Sequence, residues 1–452
     1  MQKTAPKYKV ITMKKVAFHT LGCKVNQYET EALKERFEAG GYTVVPEEET
    51  ADVYVINTCT VTNLADRKSR QFIRRAIKKN PDAIVAACGC YVQINPEEAA
   101  SIPGIDLVVG TNGRQELFDK VEELMEKRSG TALRMVLPYS ELTEYRSDGI
   151  ISAMDGRSRA FIKIQEGCDR FCSYCLIPFA RGRVRSRDAD EILEEVRALV
   201  GNGFREIVLT GINTALYGRD DPEDGGKGFA RLLDRIDAVP GDFRVRLSSL
   251  EPTVVSPSQV ADVLDHEKLC HHLHLSIQSG SDPVLKAMNR GYTRAEYLEI
   301  VDLIRKRDPH FGITTDIICG FPGETEKDVE DTLALIKEAA FARVHVFGYS
   351  RRDGTKAAAM PGQIPSAVKA ARVKLVSDAA ELAARDFIEN CRGLEQIVLP
   401  ERLTDDGGFY EGYSGNYLMT YIPAERFDED PCGSFVKAKL DGPFMDGVRG
   451  IC

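Results

Sequence analysis

Residues 160–175 read AFIKIQEGCDRFCSYC. A largely apolar run from Ala160 to Gln165 closes on Gly167, and Cys168, Cys172 and Cys175 follow at x3 and x2 spacing, so three thiols sit on the loop that leaves a strand. The same grammar continues downstream. Apolar runs at 160–165, 206–210, 243–248, 272–277, 313–318 and 343–348 alternate with helical patterns such as Ile192, Val196, Leu199, Val200 and Leu298, Val301, Leu303, Ile304. Six strand–helix units in a row predict a partial parallel (β/α)6 barrel over 150–385, with a trailing amphipathic helix from Ser366, and place its chemistry at the C-terminal ends of the strands.

Upstream, short β-branched runs (Val16-Ala17-Phe18, Val53 to Ile56, Ala83 to Ala86, Leu107 to Val109) also alternate with helical patterns. They predict an α/β domain built on a doubly wound parallel sheet over 14–128. Residues 1–13 lack an apolar period and read as a flexible extension, and 129–149 reads as a linker. From 386 to 452 the texture changes: Gly-rich turns at Gly407-Gly408 and Gly412 to Gly415 separate short β-prone runs, which predicts a small all-β domain. The 452 residues, 43% hydrophobic and 29% charged, thus divide into about three globular units, as the length itself suggests. No run approaches the roughly 18 apolar residues of a membrane span, and no apolar stretch follows the basic start, so the cytoplasm is the expected compartment.

Twelve cysteines are many for a reducing compartment, where thiols more often bind metal or do chemistry than pair as disulfides. Zinc would ask for four ligands, and no fourth Cys or His lies near Cys168, Cys172 and Cys175 in sequence. Three thiolates on one loop suit a cluster of four irons and four sulfides whose fourth iron stays open to a ligand. A zinc loop completed by a distant residue is the bland alternative. Three further cysteines, Cys23, Cys59 and Cys90, each follow an apolar strand and precede a helical pattern. Strand ends of a doubly wound sheet lie along one edge, so these three can converge on a second site, where helix N-termini lower thiol pKa values. Buried structural thiols are the alternative there. The seven histidines show no metal-ligand spacing and read as structural.

The loop C-x3-C-x-aromatic-C at the head of a six-unit barrel resembles the radical S-adenosylmethionine superfamily. Further residues carry the resemblance along the chain: Cys23 in LGCKVNQ, Cys59 in NTCTVT, Cys90 in CGCYVQ, Pro178 to Arg183 (PFARGR), Gln278 to Ser281 (QSGS), Met288 to Tyr292 (MNRGY) and Asp316 to Thr325 (DIICGFPGET). In this order, across 14–450, the chain resembles the methylthiotransferase family. The resemblance implies two 4Fe–4S clusters. One would be held by Cys168, Cys172 and Cys175, which are also the catalytic residues, and an auxiliary one by Cys23, Cys59 and Cys90, with Gly-Cys-x-x-Gln selecting Cys90 over Cys88. It implies S-adenosylmethionine as cofactor: one molecule methylates a sulfur at the auxiliary cluster, and a second is cleaved reductively to a 5′-deoxyadenosyl radical that activates C2–H of a modified adenine. It also implies that the last domain is a TRAM domain. Asn213, Ser249, Glu251 and Gln278, at or just past strand ends, are the candidate cofactor contacts. Cys270, Cys319, Cys391, Cys432 and Cys452 are left as structural thiols.

Leu21 to Glu29 (LGCKVNQYE), with Gly211-Ile212-Asn213 and Tyr217-Gly218, most resembles the members that convert N6-threonylcarbamoyladenosine at tRNA position 37 to its 2-methylthio form. Members acting on isopentenyladenosine in tRNA, or on an aspartate of a ribosomal protein, are the alternatives within the family. A non-catalytic iron–sulfur RNA-binding protein is the alternative of another class, and it gains nothing from an open iron. The implied partners are the tRNA anticodon loop, an electron-donor protein and a sulfur source, with neither DNA nor a membrane.

The net charge of −9 is unevenly spread. Residues 391–452 carry six Lys and Arg against eleven Asp and Glu, whereas 1–150 carry 21 of each. From 67 to 79, Arg67, Lys68, Arg70, Arg74, Arg75, Lys78 and Lys79 run without an acid, and Arg181, Arg183, Arg185 and Arg187 alternate after the barrel cysteines. Two basic segments beside two cysteine loops predict a phosphate-binding path for RNA, against the bland reading of solvated faces. In the acidic last domain, Tyr413 to Tyr417 is expected to offer aromatic stacking for unpaired bases. Gly320 to Glu324 reads as a strand-to-helix turn leading into a Thr325–Asp328 capping box, with its backbone beside the cofactor.

Overall fold

The computed structural model describes residues 13–452 apart from 155, 224 and 253–256, so of the expected extension 1–13 only Met13 is described. The chain falls into two compact units: residues through Thr60 with Leu64–Pro138, and Val61–Asn63 with Tyr139–Cys452. Among the described residues no helix is long and apolar enough to cross a membrane.

The first unit runs β1 (Lys15–Thr20), α1 (Lys24–Ala39), β2 (Thr43–Val45), β3 (Val53–Thr58), α2 (Asn63–Lys79), β4 (Ile84–Gly89), α3 (Cys90–Ile94), α4 (Pro96–Ala100), β5 (Leu107–Val109), α5 (Leu117–Glu126) and β6 (Leu133–Met135). All six strands are parallel, in the order β2-β1-β3-β4-β5-β6. Every residue of β3 is buried because both faces of the sheet are covered. Tyr54 and Ile56 share a core with Ile73 and Ala76 of α2, while Val53 and Val55 share the opposite one with Leu33 and Phe37 of α1 and Val121 of α5. Each large apolar side chain buried in this way contributes roughly 1.5–3 kcal/mol over its exposed state. The strand order reverses between β1 and β3, and the crevice outside their carboxyl ends is where sheets of this kind gather ligands. One strand comes from the stretch read as a linker: Leu133 and Arg134 of β6 are exposed and give no apolar signal.

The second unit begins with β7 (Arg159–Glu166), α6 (Ile177–Arg181), β8 (Arg185–Ser186), α7 (Ala189–Gly201), β9 (Glu206–Gly211), α8 (Gly228–Asp237), β10 (Arg244–Leu247), β11 (Ser249–Leu250) and α9 (Pro257–Leu264). It continues with β12 (His272–Leu275), α10 (Asp282–Ala287), α11 (Arg294–Arg307), β13 (Gly312–Cys319), α12 (Glu326–Ala339), β14 (Arg343–Gly348), α13 (Lys356–Ala359) and α14 (Ser366–Asn390). Two four-stranded sheets, β10-β9-β7-β8 and β11-β12-β13-β14, are joined by a bridge between Val245 and Leu269. Except for the short antiparallel β8, every pairing is parallel, so the long strands follow one another as the partial barrel that the sequence predicts. The Thr325–Asp328 capping box is present, and Thr293 with Glu296 forms a second at the start of α11.

After α14 the chain closes a small barrel from β15 (Glu395–Leu403), β16 (Phe409–Ser414), β17 (Met419–Pro423), β18 (Val436–Phe444) and β19 (Gly447–Ile451), in the order β15-β16-β17-β19-β18. This barrel docks on the amino ends of the β/α strands. Glu206, at the head of β9, takes Arg244 Nε at 2.6 Å and Arg246 Nε at 2.7 Å, and the same guanidiniums donate onward to the carbonyls of Ile397, Tyr413 and Ser414. Tyr417 stacks on Tyr413 (4.5 Å between centroids) and on His272 (4.3 Å), and Arg159 lies 4.6 Å from the Tyr413 ring. The expectation that Tyr413 to Tyr417 offers an open stacking surface is corrected here: both rings are half-buried and committed to the junction. Part of the domain's acidity is used at the same place, where Glu401 pairs with Arg159 at 2.7 Å.

Candidate active site

Cys23, Cys59 and Cys90 follow the carboxyl ends of β1, β3 and β4, which are neighbours in the sheet. Thr20 is level with Asn57, and Thr58 with Gly89, so the three loops leave from one edge at the point of reversal. Two glycines let them close up. A Cβ on Gly22 (φ +111°) would lie 3.2 Å from Cys59 Sγ, and one on Gly89 (φ +95°) would lie 2.6 Å from the Thr58 carbonyl oxygen. The residue before Cys23 therefore rests against Cys59, and the residue before Cys90 against the residue before Cys59. Asn26 laces the edge by donating to the carbonyls of Leu21 (2.7 Å) and Thr58 (3.0 Å). Cys23 occupies the N-cap of α1 and is exposed, while Cys59 and Cys90 are buried. Cys88 instead points into the apolar core with Val16, Val55 and Leu107. Among the described residues no three His, Cys, Asp or Glu side chains stand close enough to hold a metal as placed. What converges is the backbone that carries the thiols.

In the second unit the loop after β7 is fixed from two sides. Gly167 takes φ +76°, and a Cβ there would fall 1.6 Å from the Arg183 carbonyl oxygen, so only glycine fits the exit of the strand. Cys168 N–H donates to the Gly182 carbonyl at 3.0 Å, and Ser173 N–H to that of Met288 at 2.9 Å. Asn289 Nδ2 donates to the Phe171 carbonyl at 3.1 Å, and Phe171 and Asn289 both take positive φ, 48° and 60°. Backbone strain of this kind persists only where the surroundings enforce it. Burial pushes the Cys168 and Cys175 thiols up to about 12, so metal binding must displace their protons.

Arg290 is the site residue that sequence reasoning missed. Its guanidinium lies 3.3 Å from Cys172 Sγ and 3.3 Å from Glu251 Oε1, and donates to the Ser276 carbonyl at 2.9 Å and Tyr292 Oη at 3.0 Å. It stands inside the MNRGY segment, but its partner Cys172 is 118 residues away, and no local pattern marks the contact.

Of the four candidate cofactor residues the structure brings two together. Asn213 Nδ2 donates to Glu251 Oε2 at 3.0 Å, and Arg170, between the first two loop cysteines, reaches the same oxygen at 3.2 Å. Asn213 Oδ1 and Ser248 Oγ are buried without a hydrogen-bond partner among the described residues. Such orphaned groups cost about 1–3 kcal/mol each. A ligand that brings an amine and hydroxyls beside the cysteine loop relieves that cost, and S-adenosylmethionine has both. Ser249 and Gln278 lie at other strand ends: Ser249 is exposed in β11, and Gln278 follows β12 at φ +77°, bridged to Ile317.

The two basic segments part company. On α2, Arg67, Lys68, Arg74 and Arg75 are exposed, opposite the buried Ser69, Ile73 and Ala76, whereas Arg70 is half-buried between Glu98 (3.2 Å) and the Tyr91 ring (5.6 Å). Arg181 and Arg185 are corrected as RNA candidates, because both are buried. Arg181 pairs with Glu166 at 2.7 Å, and Arg185 donates to the Glu144 carbonyl at 3.0 Å. Of the three candidates in that segment only Arg183 faces solvent. Of the unassigned thiols, Cys270, Cys319 and Cys391 are buried, while Cys432 is half-buried and Cys452 exposed, so the last two are not buried structural thiols.

Comparison with known proteins agrees with this layout. Residues 162–336 match the profile of the Radical SAM superfamily, and residues 15–110 match one described as Uncharacterized protein family UPF0004. The threonylcarbamoyladenosine tRNA methylthiotransferase MtaB of Bacillus subtilis is 42% identical over 437 residues, 95% of this chain and 94% of that one. The protein of the same name from Thermotoga maritima is 38% identical over 418 residues, 92% and 93% of the two chains. The tRNA-2-methylthio-N(6)-dimethylallyladenosine synthase of Carboxydothermus hydrogenoformans is 35% identical over 442 residues, 96% and 98%. Among solved structures, the radical S-adenosylmethionine methyltransferase TsrM from Kitasatospora setae, with cobalamin and a 4Fe–4S cluster bound, superposes with a TM-score of 0.58 at 16% identity, covering 88% of this chain and 81% of that one. That likeness concerns the fold alone. With curated relatives this similar along nearly the whole length, the chain belongs to the methylthiotransferase family of radical S-adenosylmethionine enzymes.

Proposed function

We propose that this protein is a tRNA methylthiotransferase that converts N6-threonylcarbamoyladenosine, next to the anticodon, to its 2-methylthio derivative. The observation that carries the reading is the pair of cysteine-bearing strand edges, one in each unit, in a chain 42% identical to MtaB of B. subtilis. When bound, the cofactors supply a methylated sulfur and a 5′-deoxyadenosyl radical. The protein's own task is to hold the reacting groups in line and keep water away, with the hard chemistry left to the cofactors. Cys168, Cys172 and Cys175 would hold the cluster that binds S-adenosylmethionine, with Asn213 and Glu251 turned to the cofactor and Arg290 fixing the loop. Cys23, Cys59 and Cys90 would hold the auxiliary cluster. The exposed cations of α2, Arg67, Lys68, Arg74 and Arg75, would meet the phosphates of the anticodon stem-loop. An electron-donor protein and a sulfur source complete the set of partners, in the cytoplasm.

The second reading within the family is the dimethylallyladenosine substrate, favoured by relatives of that name at 35% identity. Mass spectrometry of tRNA nucleosides from cells lacking the gene decides between the two. Loss of 2-methylthio-threonylcarbamoyladenosine is expected. Its persistence, where no duplicate enzyme exists, refutes the substrate.

A further inference from the structure

The face of the β11-β12-β13-β14 sheet turned away from its helices is polar along its middle, and turns apolar only toward the carboxyl end, where Ile318 pairs with the exposed Phe347. Strand alternation sends Leu273, Leu275, Ile313 and Ile317, all buried, to the helix side, and His274, Ser276, Asp316 and His345 to the other. Ser249 is the register partner of His274, and Asp316 of His345. His274 Nε2 lies 3.1 Å from Asp316 Oδ2, and Ser276 Oγ donates to the same oxygen at 3.1 Å. The His345 ring centroid lies 6.0 Å from that of His274. A closed parallel barrel fills this face with Val, Ile and Leu. Here it is a hydrogen-bonding wall partly open to solvent, with His274, Asp316 and His345 half-buried and Ser249 exposed. One residue ties the wall to the cysteine loop: Arg290 holds the Ser276 carbonyl and touches Cys172.

We infer that His345, with His274 and Asp316 beside it, recognises the threonylcarbamoyl substituent of the substrate adenosine and disfavours a dimethylallyl one. The inference rests on the reading of this chain as a threonylcarbamoyladenosine enzyme. The threonylcarbamoyl group carries a urea carbonyl, a hydroxyl and a carboxylate, all of which need partners once water is removed. His274 is spent within the row, Nδ1 on Thr314 Oγ1 at 2.9 Å and Nε2 on Asp316, so it orients the carboxylate. The Asp316 carboxylate and the His345 imidazole offer acceptor and donor to the substituent. A dimethylallyl group offers none, and would displace water from His345 and Asp316 without a hydrogen bond in return, although the bonds within the row would remain. Sites built to hydrogen-bond a substrate reject analogues that lack the bonding groups, far more strongly than apolar pockets reject a misfit methylene.

The test gives the anaerobically reconstituted full chain anticodon stem-loop RNAs that carry either N6-threonylcarbamoyladenosine or N6-dimethylallyladenosine, and compares kcat/KM for wild type, His345→Leu and His345→Gln. Iron content and thermal unfolding check the fold. His345→Leu is expected to lower the preference for the threonylcarbamoyl substrate by about tenfold to a hundredfold, chiefly through KM, and His345→Gln to keep most of it. A folded, iron-replete leucine variant with wild-type preference overturns the inference. Should that variant not fold, His345→Met asks the same question with a more adaptable side chain. A wild-type enzyme that prefers the dimethylallyl RNA overturns the substrate reading itself, an outcome distinct from loss of the His345 effect.

Discussion

Arg246 and Glu206 form a buried pair, Nε to Oε1 at 2.7 Å, on the floor of the β/α barrel, and Arg246 continues to the Ser414 carbonyl of the terminal barrel at 3.0 Å. Glu206 is the common counter-ion of Arg159, Arg244 and Arg246. Arg159 keeps Glu401, but removing the Glu206 charge leaves Arg244 and Arg246 without their carboxylate, so Glu206→Gln is expected to cost about 3–5 kcal/mol. Urea unfolding would register this as a lower midpoint at an unchanged slope. An unchanged midpoint would mean that the junction contributes nothing to stability.

The same carboxylate predicts acid sensitivity. Burial pushes its pKa up from 4.5, but Arg246 and Arg244, with Arg159 behind them, outweigh burial and hold it well below the ordinary carboxylate range. A group whose folded pKa is depressed contributes stability that is fully present above its unfolded value and is lost as pH falls toward the folded one. The wild-type urea midpoint is therefore expected to fall more steeply below about pH 4.5 than that of Glu206→Gln, which lacks this titration. Parallel pH profiles would sink the prediction.

These residues also mark what could and could not be read from sequence. The long strands of the three open sheets were legible because an apolar run leaves a local trace, as in Val53 to Ile56, whereas the short β2 and β8 were not read. The cysteine edge was legible because strand-Cys-helix recurs three times. β6 was not, since a three-residue edge strand with exposed Leu133 carries no apolar pattern. Arg181 and Tyr417 misled for a common reason: an arginine or tyrosine looks like an RNA contact until its partner is known, and Glu166 and Arg246 become partners only in the fold.

Gly89 and Gly167 test the two cysteine loops separately. A Cβ at Gly89 would press on Asn57 Oδ1 (2.5 Å) and the Thr58 carbonyl (2.6 Å), displacing Cys90 from Cys59. Gly89→Ala is expected to lose about half of the reconstituted iron while the cluster on the barrel loop is kept. Gly167→Ala, whose Cβ would meet the Arg183 carbonyl at 1.6 Å, is expected to lose the other half. Wild-type iron in both variants would detach these glycines from cluster binding.

Arginines on the two basic segments should respond in opposite ways. Arg74→Glu with Arg75→Glu changes only exposed side chains, and is expected to weaken anticodon stem-loop binding and to flatten the salt dependence of affinity by about 0.7 for each phosphate no longer neutralised, with stability unaffected. Arg181→Ala leaves Glu166 in the interior beside Lys163 and Arg185 but without its 2.7 Å partner, and is expected to cost about 3–5 kcal/mol of stability. A stable Arg181→Ala protein that simply binds RNA less well would restore Arg181 to the RNA path.

Arg290 offers the sharpest test of the barrel site, because four acceptors around one guanidinium demand a planar fork. Lysine keeps the charge but can satisfy Cys172 Sγ, Glu251, the Ser276 carbonyl and Tyr292 Oη only a few at a time. Arg290→Lys should therefore preserve the net charge beside Glu251, and with it most of the stability, while loosening the loop that carries Cys172. Support around a metal ligand of this kind is typically worth about tenfold to a hundredfold in affinity or activity. The expected result is a fall of that size in the rate of 5′-deoxyadenosine formation with dithionite as reductant, at a near wild-type unfolding midpoint. Arg290→Ala should go further, since Glu251 then keeps Arg170 as its cation at 3.2 Å and loses the buried one. Its unfolding midpoint should drop as well. A lysine variant with the wild-type rate would show that the fork is dispensable, and that Arg290 acts on the loop through its charge alone.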